Sequence, residues 1–261
     1  MNRIRIVLLG GLMSYRALFG WTSPWILIPS FMVTPLAQIL LFAYIGRSAG
    51  IGDDKFFVIG NALQYSAIPC LFGIGNTVVG ERHHRTLGLV LTSPAPRLPL
   101  LLGRSLPVVL NGCAVAVFAF VAGSAVLGIP ISWESLPWFV LAVVSTTIAC
   151  TGLGLITAAF GLRFVDMAVL PNLVFGVLLV FSGANIPPAL EPHWMLFVGR
   201  WLPFTHGIAA ARLTTAGASH SGVGRLVTEE LLLGLAYAAL GTVLLRALER
   251  RSRHAATLEM T

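Results

Sequence analysis

His83, His84 and His206 are the side chains that first invite a catalytic or metal-binding reading. His83 and His84 are adjacent and would point to different faces of a helix, so neither forms a metal site with the other. His206 follows Pro203-Phe204-Thr205, a turn in which a single histidine reads as a hydrogen-bonded structural residue. Cys70, Cys113 and Cys150 each lie inside an apolar run, with no C-x-x-C and no histidine at metal-ligand spacing. They read as packing residues. The chain contains no H-E-x-x-H, no G-x-S-x-G and no carboxylates paired at membrane depth, which disfavours an intramembrane hydrolase. It also lacks G-x-x-x-x-G-K-[ST], so it does not bind ATP in the P-loop manner. We assign no catalytic residue, metal ligand or cofactor to this chain.

The remaining chemistry is that of docking. Gly80 to Arg104, GERHHRTLGLVLTSPAPRLPLLLGR, is the longest basic interruption in an otherwise apolar sequence. Glu81 and Arg85 are four apart, so on a helix they share a face, with the acid N-terminal as the dipole favours. The residues turn apolar from Leu87 to Leu91, and Ser93-Pro94 and Pro96 stop the helix. The expected product is a short helix with one charged end and one apolar end.

Composition decides what surrounds it. Hydrophobic residues make up 56% of the 261 residues and charged residues 10%, against about 45–50% and about 25% in a soluble domain. The formal charge of +7 does not indicate nucleic acid, because the arginines cluster at the ends of apolar runs without interleaved aromatics. A bilayer needs about 20 apolar residues per crossing helix. The runs that meet this requirement predict spans over Pro24–Ile45, Phe56–Val79, Arg104–Leu127 and Trp138–Phe160. Val169–Ser182 starts a fifth that is too short unless it continues toward Ile186, and Glu230–Leu245 is the core of a sixth. The first should be kinked by Pro29 and Pro35. The second carries Asn61, Gln64 and Asn76 as its polar residues, and the third carries Asn111. Ser145, Thr146, Thr147, Gly152 and Gly154 in the fourth permit close helix contact. Glu229 and Glu230 are expected to open the sixth at the positive end of its dipole. On this reading the spans hold no ionisable residue away from their ends.

Ile4 to Phe19, within an N-terminal segment 1–22, reads as a retained interfacial helix, because Arg16 follows the short apolar run and no small-x-small cleavage site precedes it. With both termini inside, twelve of the 17 lysines and arginines fall on the cytoplasmic side and five outside, as the positive-inside rule requires. Arg163 and Asp166 then share a short inner loop. Between the fifth and sixth spans, residues 183–213 contain Pro187, Pro188, Pro192 and Pro203 around an apolar run, Trp194 to Trp201, too brief to cross. Broken backbone at membrane depth must be buried in protein or line a cavity, which predicts a re-entrant pair of half-helices on the outer side. The fold class is therefore all-α and integral to the membrane, as one domain over 1–261.

Two stretches carry a family resemblance. Glu81-Arg82, Thr86-Leu87, Leu91, Ser93-Pro94 and Gly103-Arg104 resemble the loop between the second and third spans of ABC-2 type transporter permeases. Arg85 stands where that family commonly has glycine, and Gly88 where it commonly has an acidic residue. Phe181-Ser182-Gly183, Pro187, Pro203-Phe204-Thr205-His206 and Arg212 resemble the family's segment between the fifth and sixth spans.

The resemblance implies that Glu81, Arg82, Arg85, Thr86, Leu87 and Leu91 form a coupling helix that docks on a separate ATPase subunit. It implies Gly183, Pro187, Pro203, His206 and Arg212 as the external motif. ATP and Mg would then be bound by the partner, and two ATPase subunits would join two permeases, identical or related, in the bilayer of an inner or plasma membrane. The expected function is outward movement of a hydrophobic or amphipathic drug or lipid-like molecule, as in the drug-resistance-like (daunorubicin-type) members. Export of polysaccharide or lipid-linked glycan is the alternative, and a passive channel or structural membrane subunit is a further one.

Overall fold

A computed structural model describes residues 9–16, 25, 29–51, 53–74, 97–161, 169–217 and 220–254. Among the described residues the regular structure is helical, with no strand. We number the helices α1 (9–16), α2 (Thr34–Ala49), α3 (Asp54–Tyr65), α4 (67–74), α5 (Arg97–Leu127), α6 (Leu136–Gly161), α7 (Val169–Phe181), α8 (His193–Gly199), α9 (Thr205–Thr215) and α10 (His220–His254).

Among the described residues five segments are long and apolar enough to cross a membrane: Phe31–Ala49, Asp54–Ile74, Gly103–Leu127, Leu136–Phe160 and Ser221–Leu248. The break expected in the first takes the form of a π-helical turn, Pro29–Val33, leading into α2 with Pro35 near its start. There the missing proline N–H costs no helical hydrogen bond. The second segment turns at Ser66, between α3 and α4. Ser66 compensates by bonding the Leu63 carbonyl through both its backbone N–H (3.1 Å) and its hydroxyl (2.6 Å). The fifth expected span does not continue toward Ile186. α7 stops at Phe181 after 13 residues, and residues 182–187 are irregular.

The sixth helix differs from its expected form. α10 begins at His220, so Glu229 and Glu230 lie inside it rather than at its positive end. The stretch His220 to Thr228 carries two glycines, Gly222 and Gly224, which weaken local helix propensity. Packing of Val223 and Val227 into the core overrides that preference.

Two elements form the interior. The Asp54–Ile74 segment is buried along most of its length, from Phe57 to Tyr65 without a break. α6 is the second, packed against α5, α9 and α10. Phe120 of α5 stacks on Phe139 of α6 with ring centroids 4.0 Å apart. Contact with α10 is close because both helices present small residues. A Cβ added at Gly152 would lie 2.6 Å from the Gly234 carbonyl oxygen, and one at Gly234 2.6 Å from the Ala149 Cα. The hydroxyls of α6 are satisfied on their own helix, Thr146 donating to the Ala142 carbonyl at 2.7 Å and Thr151 to that of Thr147 at 2.7 Å. An apolar interior thus tolerates them. Cys70 and Cys150 are buried and Cys113 half-buried, all as free thiols, with Cys113 Sγ 3.2 Å from Thr147 Oγ1. They are packing residues, as their spacing indicated.

Candidate functional site at the proline-broken segment

Between α7 and α10 the chain makes no crossing. It runs through a left-handed turn at Gly183 (φ 69°), a 3-10 turn Pro188–Leu190 begun at Pro187, and the two short helices α8 and α9. The prolines dictate this shape by removing backbone donors at the points where a helix would have to continue. The orphaned groups are taken up by two charged side chains.

The first is Arg212, on α9. Its Nη1 donates to the Gly183 carbonyl at 2.8 Å, and its Nη2 donates to the carbonyls of Ala184 at 3.0 Å and Phe56 at 3.2 Å. The guanidinium carbon lies 3.5 Å from the Phe56 ring centroid. One planar fork therefore joins α9, the start of α3 and the turn after α7, a geometry that lysine does not reproduce. Gly60 makes room for it: a Cβ there would lie 2.9 Å from both Arg212 Nη2 and the Ala184 Cα. Glu191 is 8% exposed and sits beside Gly183, with a Cβ at Gly183 calculated 3.8 Å from its Oε1. Burial holds its carboxyl above the usual carboxylate range, and the Arg212 charge acts in the opposite direction.

The second is Glu230, fully buried in α10. Its Oε1 accepts the Phe204 N–H at 2.8 Å and its Oε2 the Gly207 N–H at 3.1 Å. Those are orphan donors at the start of α9, so a carboxylate from one helix caps the positive end of another. The cap holds a strained corner, because Phe204 has φ 85° with its side chain fully buried. Pro203 precedes it, and Gly207 lies over Thr146 of α6 with no space for a Cβ. Glu229 points away from Glu230. Its Oε1 accepts from Arg225 Nε at 2.8 Å, and its Oε2 lies 3.4 Å from His206 Nδ1. His206 Nε2 faces the Arg200 carbonyl at 3.0 Å. His206 is thus a hydrogen-bonded structural residue.

A run of amides continues inward from the same turn. Asn61 Nδ2 donates to Asn185 Oδ1 at 2.8 Å, and Gln38 Nε2 of α2 donates to Asn61 Oδ1 at 2.9 Å. Asn185 Nδ2 approaches Gln64 Oε1 at 3.4 Å. Asn61 and Gln64 are fully buried, while Gln38 and Asn185 are half-buried.

Of the residues singled out from sequence, Gly183, Pro187, Pro203, His206 and Arg212 fall in this one segment, with Arg212 bonded to Gly183 and His206 beside the Glu230 cap. The docking residues Glu81, Arg82, Arg85, Thr86, Leu87 and Leu91 lie outside the described residues, as do Arg163 and Asp166. The expectation that spans carry no ionisable group away from their ends is corrected by Glu230. The signal was present as a Glu-Glu pair flanked by apolar residues, but the pair was placed at a helix end. Gln38 and Asn185 were also missed, since nothing local marks amides 23 residues apart (Gln38 and Asn61) or more than a hundred apart (Asn185 with Asn61 and Gln64) as partners. Among the described residues no cluster of histidine, cysteine, aspartate and glutamate has the makings of a metal site.

The family model for "ABC-2 type transporter" matches residues 12–215, from within α1 to the end of α9. No curated relative matches the chain.

Proposed function

The chain belongs to the ABC-2 type transporter family, and on that premise we propose that it exports a hydrophobic or amphipathic drug or lipid-like molecule, powered by a separate ATPase docked on residues 81–91. It is a transmembrane permease of an ABC transporter, a multi-pass membrane protein, and the family implies an ATPase partner.

The observation that carries the energetic part is the fate of Glu230. Carriers driven by protons or sodium keep ionisable side chains inside their spans to bind the coupling ion. Here the buried carboxylate has both oxygens committed to backbone N–H groups of α9. A group in that position serves the fold. Power then comes from outside the chain, and the motif from Glu81 to Leu91 is where the resemblance puts the contact. There Glu81, Arg82, Arg85 and Thr86 supply the polar end and Leu87 and Leu91 the apolar end of a coupling helix. ATP and Mg belong to the partner in this reading, and two permeases, alike or related, share the pathway.

The cargo class rests on the composition of the interior. The interior is mainly apolar, with scattered hydroxyls and the amide run of Asn61, Gln64, Gln38 and Asn185 as its polar side chains near the broken segment. Such a surface suits a mostly apolar molecule bearing a few polar atoms. The test is whether a P-loop ATPase co-purifies with the permease from its native membrane, followed by reconstitution of the two; recovery of the permease without any ATPase would count against the reading. ATP-dependent outward movement of a hydrophobic compound supports the proposal. A response confined to lipid-linked sugars would replace the cargo class with a glycan.

A further inference from the structure

We propose that α8 and the turn after it are a membrane-interface anchor, with Trp194, Phe197 and Trp201 seated among the lipid headgroups and first acyl carbons of the leaflet at the far end of α7. This goes beyond the transport reading and depends only on the chain being in a bilayer.

The three side chains recur at intervals of three and four along α8 and the following turn, which puts them on one face. They are 62%, 63% and 62% exposed, values that exclude a core role within the chain. The opposite face is fixed. Met195 and Gly199 are buried, a Cβ at Gly199 would run into the Phe181 carbonyl, and Thr205 Oγ1 donates to the Gly199 carbonyl at 2.7 Å. Tyr237 of α10 also bonds the Trp201 carbonyl. The aromatic face is thus held rigidly outward.

Position in the chain agrees. α7, described over Val169–Phe181, is largely apolar and ends at the turn before α8. The Trp194 and Phe181 rings meet at the end of α7 with centroids 5.8 Å apart. α8 thus follows directly on the end of an apolar helix, where proline-broken backbone and polar side chains replace the apolar run, as at a membrane–water interface. Tryptophan is stable there because its ring is apolar while its N–H finds water or ester oxygens. Charge agrees. Arg200 and His193 are exposed beside the aromatics and complement lipid phosphate, while Glu191, the acid near them, is turned inward. The exposed residues of α7, Leu173, Val177 and Val180, extend the apolar surface into the bilayer.

The test uses the whole chain with Trp21, Trp25, Trp133 and Trp138 changed to Phe, reconstituted in phosphatidylcholine vesicles brominated near the carbonyl end of the acyl chain. The remaining fluorescence should fall by about half or more relative to unbrominated vesicles, with aqueous iodide quenching several-fold weaker than for free tryptophan, as for an interfacial indole. Strong iodide quenching without bromolipid quenching would overturn the anchor in favour of a water-facing surface. Absence of both would overturn it in favour of cover by protein, such as a second copy. If the four-fold variant does not fold, Phe197→Cys carrying a nitroxide reads the same depth. Oxygen should then relax the label more than a water-soluble nickel chelate, and the reverse order overturns the proposal.

Discussion

Glu230 of α10 accepts the backbone N–H of Phe204 at 2.8 Å and so fixes the strained corner from which α9 starts. The contact joins a helix long enough to cross the membrane to one that does not, across 26 residues of intervening chain. Any movement of α10 along its axis must carry the start of α9 with it or break this cap. Replacing Glu230 by Ala orphans the N–H groups of Phe204 and Gly207, at about 1–3 kcal/mol for each buried donor. Glu230→Gln keeps one acceptor oxygen and should fall between Ala and the native residue. Thermal unfolding in detergent should rank the three in that order. Equal midpoints for all three would remove the cap from the account.

Arg212 is the second tie. Arg212→Lys retains a charge but loses the fork that reaches the carbonyls of Gly183, Ala184 and Phe56. We expect a loss of about 2 kcal/mol or more, since breaking one side of a buried charged network costs about 3–5 kcal/mol and lysine restores only part. Gly60→Ala should be comparably damaging, because its Cβ would meet both the guanidinium and the Ala184 backbone. Folded yield by size-exclusion chromatography checks both. A Gly60→Ala protein as stable as the native one would contradict the packing described.

The amide run supplies a coupling measurement. Asn61→Ala and Asn185→Ala remove the two ends of a 2.8 Å hydrogen bond. A double-mutant cycle on unfolding should return about 0.6–1.7 kcal/mol of interaction, the range of side-chain hydrogen bonds between membrane helices. A value indistinguishable from zero would mean that the two amides act independently.

Glu191 gives stability a dependence on pH. Burial raises its carboxyl above the ordinary range, with Arg212 opposing the shift. The folded state therefore holds a proton that the unfolded chain releases, and stability falls as pH rises from the ordinary carboxylate pKa through the raised one. Glu191→Gln fixes the neutral form and should flatten that part of the curve. Unfolding midpoints measured across the acidic range, native against variant, decide it; parallel curves would show that Glu191 titrates normally.

Hydropathy made the crossing segments legible because a bilayer demands a length of apolar residues that no local feature disguises. The prolines at 187, 188, 192 and 203 marked the broken segment for the same reason, since each removes a donor that lipid does not replace. Glu230 was visible as a residue but not as a cap. Its partners are N–H groups more than twenty positions away, brought close only once α10 starts at His220 and packs on α6. Asn61 and Gln64 were visible as polar residues of the second span, whereas Gln38 and Asn185 become their partners through tertiary contact alone. Arg212 was recognised by its place in a motif, and the three carbonyls it gathers belong to parts of the chain that only folding brings together.

The central claim is that an ATPase docked on the Glu81 to Leu91 stretch drives movement through this chain. Its most direct test is to reconstitute the permease with the P-loop ATPase that co-purifies with it and follow ATP hydrolysis and hydrophobic-compound export together, for the native pair and for Glu81→Ala with Leu87→Ala. The account predicts intact membrane insertion, ATP hydrolysis that no longer responds to the permease, and export reduced to background in the variant. Unchanged export in that variant, or export by the native pair that persists when ATP is withheld, would contradict it.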